Sequence, residues 1–221
     1  MAQYTLVIGN KNYSSWSLRA WIALRQAGIA FDEVRVALFE DGYKSRIERY
    51  SPGGKVPALV ADGVRVWESL AICEFAAERH PDKLLWPADA VARAHARAIC
   101  AEMHAGFSAL REAMPMNIRG SHPGKGLTPE VRRDIARITQ IWEQCRTDFG
   151  RSGTLLFGHF TAADAFFAPV VSRFETYAVE LPPVARAYAD AVLQLPAMQE
   201  WIAAAHRETE FIAADEPYAN R

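Results

Sequence analysis

The sequence predicts an α/β unit followed by an all-α unit, and three observations support that fold class. Residues 4–80 alternate between short apolar runs and helical patterns, in the order βαβ and then ββα. After residue 87 the strand patterns cease, and alanine-rich segments with a helical period follow. Half of the 221 residues are hydrophobic, so both units can bury a core. We therefore expect two domains, residues 1–82 and 88–221.

The first elements form a predicted βαβ unit. The apolar run at residues 4–8 suits a buried strand, and residues 15–27 carry apolar side chains at helical spacing, with Gly28 able to end the helix. Residues 33–38 alternate between apolar and polar, as a half-buried strand does. Such a unit favours parallel strands. Residues 43–50 leave room for a short helix.

A predicted hairpin and helix complete the first unit. Two β-type runs, residues 58–60 and 64–67, flank Asp62 and Gly63, which together give a strong hairpin signal. A helical pattern follows over residues 69–79. One small mixed sheet with helices packed on it fits this order.

The second unit is predicted to be helical throughout. The helical segments cover about 89–114, 129–149, 161–177, 183–194 and 196–206. The loop between the first two is rich in glycine, proline and base, and we expect Arg119, His122 and Lys125 to be solvated there. We expect His95 and His104 to be surface or satisfied helix residues, and the tail after Ala213 to be irregular.

Composition excludes several classes of protein. The net charge of −1 gives no reason to expect nucleic acid or an anionic membrane as a partner. No long apolar stretch or leader pattern is present, so a cytoplasmic protein is expected. Cys73, Cys100 and Cys145 are far apart without a C-x-x-C motif, which disfavours disulfides, a zinc knuckle and a redox dithiol. We expect them to be small buried apolar residues.

Lys55, Val56 and Pro57 lie where a strand begins. Pro57 occupies a position at which a missing N–H does no harm. A cis bond between Val56 and Pro57 would turn the Val56 N–H and C=O outward, where an extended peptide could pair with them. The alternative is an ordinary trans proline at a strand edge. Lys55 could meet a carboxylate of the same ligand, or be a solvated surface lysine.

Glu68 and Ser69 lie at the start of a predicted helix. The free N–H groups and the positive end of the helix dipole there could receive a carboxylate. Glu68 could then take an ammonium group, so the pair would hold the amino-acid end of a zwitterionic ligand. The alternative is that Ser69 is an N-cap and Glu68 a surface residue.

Ser14 and Ser15 fall between the first strand and the first helix. Ser15 is the candidate N-cap, because the helical pattern begins at Trp16. Ser14 then lies just outside the helix, where its hydroxyl could donate a hydrogen bond to a thiolate. That bond, together with the helix dipole, would lower the pKa of the thiol. The alternative is that both serines form only a turn and its cap.

The order of these segments resembles the glutathione transferase superfamily over about residues 4–210. The stretch "SSWSLRAWIAL" is similar to the serine-type active-site segment of the zeta and theta-like classes, which Ser14, Ser15 and Arg19 match. The stretch "SPGGKVPAL" looks like the family's loop before its cis-proline. The stretch "ESLAICEF" looks like the family's Glu/Gln-Ser motif for the γ-glutamyl group.

The resemblance implies a thioredoxin-like domain that binds glutathione as a co-substrate, without a metal, and an all-helical domain after it. Ser14 and Ser15 are the implied catalytic residues. The implied glutathione-binding residues are Ser14, Arg19, Lys55, Val56, Pro57, Glu68 and Ser69. Tyr13 is a rival for the thiolate contact, because it directly precedes Ser14. One departure concerns Trp16, which stands where zeta-class isomerases usually have cysteine.

The helical domain carries two further implied features. The stretch "FTAADAFFAPV" is similar to the family's capping box, with Thr161 as the cap of a buried helix and Asp164 bonding back to its start. We expect both to be structural. The co-substrate pocket is expected beside the C-terminal half of the helix over 89–114, at side chains with helical spacing: Phe107, Arg111 and Met114.

The resemblance implies a cytosolic, homodimeric transferase of the detoxification type. It would stabilise the glutathione thiolate with a serine hydroxyl and conjugate it to a small electrophile. Two alternatives remain open. One is a glutathione-dependent cis–trans isomerase of the maleylacetoacetate type. The other is a non-enzymatic module that serves in regulation or assembly.

Overall fold

The computed structural model describes residues 4–219 and confirms the predicted fold class. Its first unit consists of β1 (Tyr4–Ile8), α1 (Ser15–Gln26), β2 (Asp32–Arg35), α2 (Tyr43–Glu48), β3 (Ala58–Ala61), β4 (Val64–Trp67) and α3 (Ser69–Arg79). Its second unit consists of α4 (Ala90–Ala105), α5 (Ser108–Ala113), α6 (Pro129–Asp148), α7 (Ala162–Thr176), α8 (Pro183–Leu193) and α9 (Pro196–Arg207). Short 3₁₀ turns lie at Pro81–Lys83 and Ala213–Asp215.

The four strands form one mixed sheet in the order β2-β1-β3-β4. Strands β1 and β2 are parallel, whereas β1 with β3 and β3 with β4 are antiparallel. The β3–β4 turn has φ values of 49° at Asp62 and 81° at Gly63, as a tight two-residue hairpin requires. The predicted βαβ unit and hairpin are therefore confirmed.

The first helix joins the two units of the fold. One face of the sheet packs on a small cluster that includes Val7 and Ile47, with α2 beside it. The other face packs on α1 and α3 within a core that continues through the helical unit. Helix α1 contacts α3 on one side and α7 on the other. Its N-terminus therefore lies at the junction of the two units.

The helix predicted over residues 89–114 is interrupted in the structure. Helix α4 ends at Ala105, Gly106 is extended, and Phe107 adopts a left-handed conformation with φ of 57°. A Cβ at Gly106 would lie 2.8 Å from the Glu102 carbonyl oxygen, so the backbone passes too close there for a larger residue. The break therefore divides the predicted helix into α4 and α5.

The predicted capping box at the start of α7 is confirmed. The Asp164 carboxylate accepts hydrogen bonds from the backbone N–H groups of Thr161 at 2.8 Å and Leu156 at 3.2 Å. Asp164 is fully buried, and burial raises the pKa of its carboxyl to about 6. Its bonds join the start of α7 to the preceding loop, which is a structural role.

The three cysteines are buried, as expected. Burial raises the pKa of the Cys73 and Cys145 thiols to about 12 and that of Cys100 well above its usual value. These thiols therefore stay protonated at neutral pH and serve as small apolar residues. Separately, none of the helices within residues 4–219 has the length and apolar character needed to cross a bilayer.

Candidate active site

Two adjoining cavities open where the N-terminus of α1 meets the helical unit. The large cavity has a volume of about 450 Å³, and its polar lining includes Tyr13, Ser14, Ser15, Arg111, Arg173 and Asp215. The small cavity has a volume of about 280 Å³, and its lining includes Pro57, Trp67, Glu68 and His104. Three residues line both cavities: Trp16, Lys55 and Val56.

Ser14, and not Ser15, is the N-cap of α1, which corrects the sequence-based assignment. The Ser14 Oγ accepts a hydrogen bond from the Ser17 N–H at 3.3 Å and donates one to the Ser17 Oγ at 2.8 Å. Ser15 is the first residue of the helix, and its Oγ accepts a hydrogen bond from Arg173 at 3.4 Å. Each serine is 7% exposed and faces the large cavity.

Val56 offers its backbone to the cavities. The Val56–Pro57 bond is cis, which was one of the two interpretations left open by the sequence. Within residues 4–219, neither the N–H nor the C=O of Val56 has a hydrogen-bond partner. Lys55 lies beside it with an exposed side chain. An extended peptide can therefore pair with this backbone.

Glu68 and Ser69 form the far end of the small cavity. Glu68 occupies the N-cap position of α3 with φ of 68° and ψ of 129°, and its side chain makes no capping bond. Ser69 is therefore the first helical residue and not the cap. It is fully buried, and its Oγ has no partner among the described residues. A carboxylate at this helix end would meet the free N–H groups, with Glu68 beside it for an ammonium group.

Arg19 lies beneath the cavities and lines neither of them. Its side chain is fully buried, with the guanidinium 4.3 Å from the Trp16 ring centroid and 4.8 Å from that of Phe166. Burial, and then the charges of Arg173 and Arg111, lower its pKa to about 9. The geometry thus makes Arg19 a support for Trp16, which differs from the direct ligand contact that the sequence suggested.

The predicted co-substrate residues separate into two groups. Arg111 lines the large cavity, and its guanidinium lies 5.3 Å from the Trp16 ring centroid. Phe107 and Met114 are 8% and 0% exposed, belong to the core and do not line either cavity. All three residues follow the break at Gly106, since Phe107 and Met114 cap α5 and Arg111 lies within it.

Arg173 was not singled out in the sequence, although it lines the large cavity from α7. Its Nε donates to the Met114 carbonyl at 2.8 Å, and its Nη1 donates to the Pro169 carbonyl at 3.3 Å. Burial, and then the charge of Arg111, lower its pKa to about 10. The signal available in the sequence was a single arginine within the apolar run "AFFAPVVSRF".

His104 also belongs to the site, although we expected a surface or satisfied helix residue. It lines the small cavity, with its ring 5.1 Å from that of Trp16 and its Nε2 3.8 Å from the Glu68 carboxylate. Its Nδ1 is buried without a partner within the described chain. Burial and the charge of Arg19 lower its pKa, which favours the neutral ring.

The C-terminal strap, residues 208–218, crosses the loop that precedes the serines. Glu208 accepts hydrogen bonds from the backbone N–H groups of Lys11 at 2.7 Å and Asn12 at 3.0 Å. Arg119, expected to be solvated, donates to the Glu210 carbonyl at 2.7 Å and to the Tyr13 hydroxyl at 2.8 Å. The strap thus fixes both the serine loop and one wall of the large cavity.

The rival hydroxyl of Tyr13 is already engaged by the strap. It donates to Glu216 and to the Glu210 carbonyl. Burial, and then the bond to Glu216, raise the pKa of the Tyr13 phenol. A phenol held in this way is poorly placed to donate to a thiolate, so the geometry favours the serines.

The site as a whole suits an extended, zwitterionic peptide beside an anionic partner. The small cavity offers backbone groups and Glu68, whereas the large cavity is lined by three basic side chains, Lys55, Arg111 and Arg173, against one acid, Asp215. No group of three His, Cys, Asp or Glu side chains within residues 4–219 could hold a metal ion.

Comparisons with known proteins cover both units of the fold. Residues 13–79 match the family model for the glutathione S-transferase N-terminal domain, and residues 88–204 match the model for the C-terminal domain. A solved maleyl pyruvate isomerase, described as a bacterial glutathione S-transferase of the zeta class, has the same fold. It superposes with a TM-score of 0.71 at 24% identity, covering 93% of this chain and 100% of that one.

Two curated relatives are maleylacetoacetate isomerases by name. The Mus musculus protein is 37% identical over 175 residues, which is 77% of this chain and 78% of that relative. The probable Caenorhabditis elegans isomerase is 41% identical over 97 residues, which is 44% of this chain and 45% of that relative. The family models span most of both units of the fold, so this chain belongs to the glutathione S-transferase family.

Proposed function

We propose that this protein binds glutathione along the small cavity and presents the glutathione sulfur to an electrophile in the large cavity. The observation that carries the proposal is the shared wall formed by Trp16, Lys55 and Val56, which lets one peptide lie in the small cavity while its middle residue reaches the large one. The unpaired Val56 backbone would pair with the cysteinyl residue of glutathione. Glu68 and the start of α3 would hold the γ-glutamyl end.

The Ser14 hydroxyl would stabilise the thiolate. Ser14 can keep its bond from the Ser17 N–H while its own proton turns from the Ser17 Oγ to the sulfur. The helix N-terminus beside it adds a positive field. A hydrogen bond to the charged form lowers the pKa of a thiol from about 8.5 toward neutrality. The nucleophile is then present without a general base.

The electrophile would be a small molecule that carries a carboxylate. Lys55, Arg111 and Arg173 outnumber Asp215 in the lining of the large cavity. Arg173 is 4% exposed, and a buried guanidinium gains most from an anionic partner. The same cavity has apolar walls, including Phe39 and Met116, for the carbon skeleton.

The two arginines and the names of the curated relatives also favour a second candidate, glutathione-dependent isomerisation. The thiolate would add to a carbon of a cis double bond, with the π electrons moving to a conjugated carbonyl oxygen. Rotation about the resulting single bond would follow. The electron pair would then return, expelling the thiolate and restoring a trans double bond, so glutathione would be regenerated.

A thiol count separates these functions. The enzyme is incubated with glutathione and maleylacetoacetate, and both the substrate and free thiol are followed. A transferase consumes one thiol per substrate, whereas an isomerase converts the substrate while the thiol concentration stays constant. Failure to bind immobilised glutathione would overturn both and revive the non-enzymatic alternative.

We further propose that the protein is a cytoplasmic homodimer with domains at residues 1–82 and 88–221. The family membership supports a two-fold assembly, and the charge balance gives no reason for a membrane or nucleic-acid partner. The break between α3 and α4 supports a boundary within residues 80–89.

A further inference from the structure

The C-terminal strap holds Asp215 in the wall of the large cavity. It is anchored before Asp215 by Glu208, and after it by Tyr218, whose hydroxyl donates to a carbonyl at the end of α5 at 2.8 Å. Asp215 itself lies in a 3₁₀ turn between these anchors. Its carboxylate therefore has a defined position relative to the cavity.

Asp215 faces the basic side chains without pairing with them. Burial raises the pKa of the Asp215 carboxyl to about 6 against the opposing effect of the Arg173 charge, and Asp215 and Arg173 line the cavity together with Arg111. Yet Asp215 makes no direct ion pair with any residue in the range 4–219. Asp215 and the guanidinium groups therefore share the cavity wall without direct contact.

This placement distinguishes ligands by the number of their carboxylates. The first carboxylate of a ligand is attracted by the guanidinium groups of Arg111 and Arg173, which line the partly buried cavity. A second carboxylate on the same small molecule that lies on the Asp215 side of this cavity of about 450 Å³ meets a like charge and is repelled. The arginines thus favour the binding of a carboxylate, whereas Asp215 disfavours the binding of a second one.

We infer that Asp215 is a specificity-determining residue that selects a co-substrate with one carboxylate over a co-substrate with two. The inference rests on the proposed glutathione site, because it concerns the group bonded to the glutathione sulfur. It also favours a monocarboxylate electrophile over the dicarboxylate that the isomerase candidate would use.

The probes are three stable glutathione conjugates that differ only in the group on sulfur. The adduct of maleate carries two added carboxylates, the adduct of acrylate carries one, and S-ethylglutathione carries none. Their dissociation constants are measured by calorimetry for the parent protein, for Asp215→Asn, and for Glu210→Gln. The last variant is the matched control, since Glu210 is on the same strap but pairs with Arg35 outside the large cavity.

In Asp215→Asn, the affinity for the maleate adduct should rise about ten-fold, the order of magnitude expected when one repulsive charge is removed from a partly solvated cavity. The acrylate adduct should gain about three-fold or less, and S-ethylglutathione should not change. Glu210→Gln should leave all three affinities at the parent values. Thermal melts check that both variants are folded.

Three outcomes overturn the inference in different ways. If all three conjugates bind but Asp215→Asn leaves their affinity ratios unchanged, Asp215 does not select by charge, and the glutathione site stands. If no conjugate binds to the folded parent protein, the glutathione proposal fails, and the role of Asp215 fails with it. An equal gain in affinity for the maleate adduct in Glu210→Gln would show a general charge effect of the strap and would contradict a specific role for Asp215.

Discussion

Glu68 holds a backbone conformation that glycine adopts without strain. Replacing Glu68 by glycine or by alanine should therefore separate its effect on the stability of the fold from its effect on glutathione binding. Its φ of 68° with ψ of 129° is disfavoured for a residue with a Cβ and is enforced by the junction of β4 and α3. The same conformation directs its side chain to the small cavity. Glu68→Gly removes the strain and the carboxylate together, whereas Glu68→Ala removes only the carboxylate.

Glu68→Gly should stabilise the fold but weaken glutathione binding, and the two free-energy changes should be of similar size. A strained non-glycine residue costs about 1–3 kcal/mol, and the extra entropy of glycine in the unfolded chain returns about 0.5–1 kcal/mol of that. Glu68→Gly should therefore raise the free energy of unfolding by roughly 0.5–2 kcal/mol. Loss of a charged partner for the γ-glutamyl ammonium group should weaken glutathione binding by about ten- to a hundred-fold.

Calorimetric titration with glutathione and urea unfolding measure these two quantities on the same samples. Both variants should bind glutathione more weakly than the parent, and only Glu68→Gly should gain stability. Glu78→Ala, on the exposed end of the same helix, should change neither quantity appreciably. Parent-like glutathione affinity in Glu68→Ala would place the ammonium site elsewhere. A Glu68→Gly variant less stable than Glu68→Ala would refute the strain argument.

Four other predictions concern stability and assembly. Asp164→Ala leaves the buried N–H groups of Thr161 and Leu156 without an acceptor and should cost about 2–4 kcal/mol in urea unfolding, so a parent-like midpoint would contradict the capping role. Burial raises the pKa of Asp164 to about 6 in the folded state, so its ionisation should destabilise the parent protein as the pH rises from about 4 to 6. The free energy of unfolding of the parent should therefore fall relative to that of Asp164→Asn over this range, and a difference that does not change with pH would contradict this. Gly106→Ala brings a Cβ to 2.8 Å from the Glu102 carbonyl oxygen and should lower the free energy of unfolding by about 1–3 kcal/mol. A melting temperature equal to that of the parent would contradict this. Light scattering should give twice the chain mass of 24.6 kDa, and a monomer at all concentrations would remove the homodimer.

Local patterns predicted the elements, because their causes are local. The alternation and helical spacing in the sequence correspond to β1–β4 and to all of the long helices, and the Asp62-Gly63 turn follows from the φ values it requires. The missed break at Gly106 is a case in which one glycine outweighed a helical pattern around it. The capping assignment was wrong by one residue, because Ser14 and Ser15 both satisfy the same sequence preference.

Short contiguous motifs in the sequence likewise predicted the residues of the small cavity. Val56 and Glu68 were found because each lies in a short segment that ends one element and starts another. Arg173, Asp215 and His104 were not found, because tertiary packing brings them to the site from three distant positions. Arg19 was assigned to the ligand from its pattern, yet the packing of Trp16 and Phe166 buries it.

The Ser14 hydroxyl is the group on which the proposed chemistry depends most. The direct measurement is the ultraviolet absorbance of the glutathione thiolate in the binary complex as a function of pH, for the parent protein, Ser14→Ala and Ser15→Ala. Because Ser14 caps α1, its loss should also cost about 0.5–2 kcal/mol of stability, so melts define the conditions under which each variant is folded.

Loss of the Ser14 hydroxyl should raise the pKa of the bound thiol by about one unit or more, with glutathione affinity little changed. Ser15→Ala, the matched control, should titrate like the parent. If Ser15→Ala shifts the titration while Ser14→Ala does not, the wrong hydroxyl has been assigned. If neither variant shifts it, backbone N–H groups and the helix end hold the thiolate alone, and the serine mechanism is wrong.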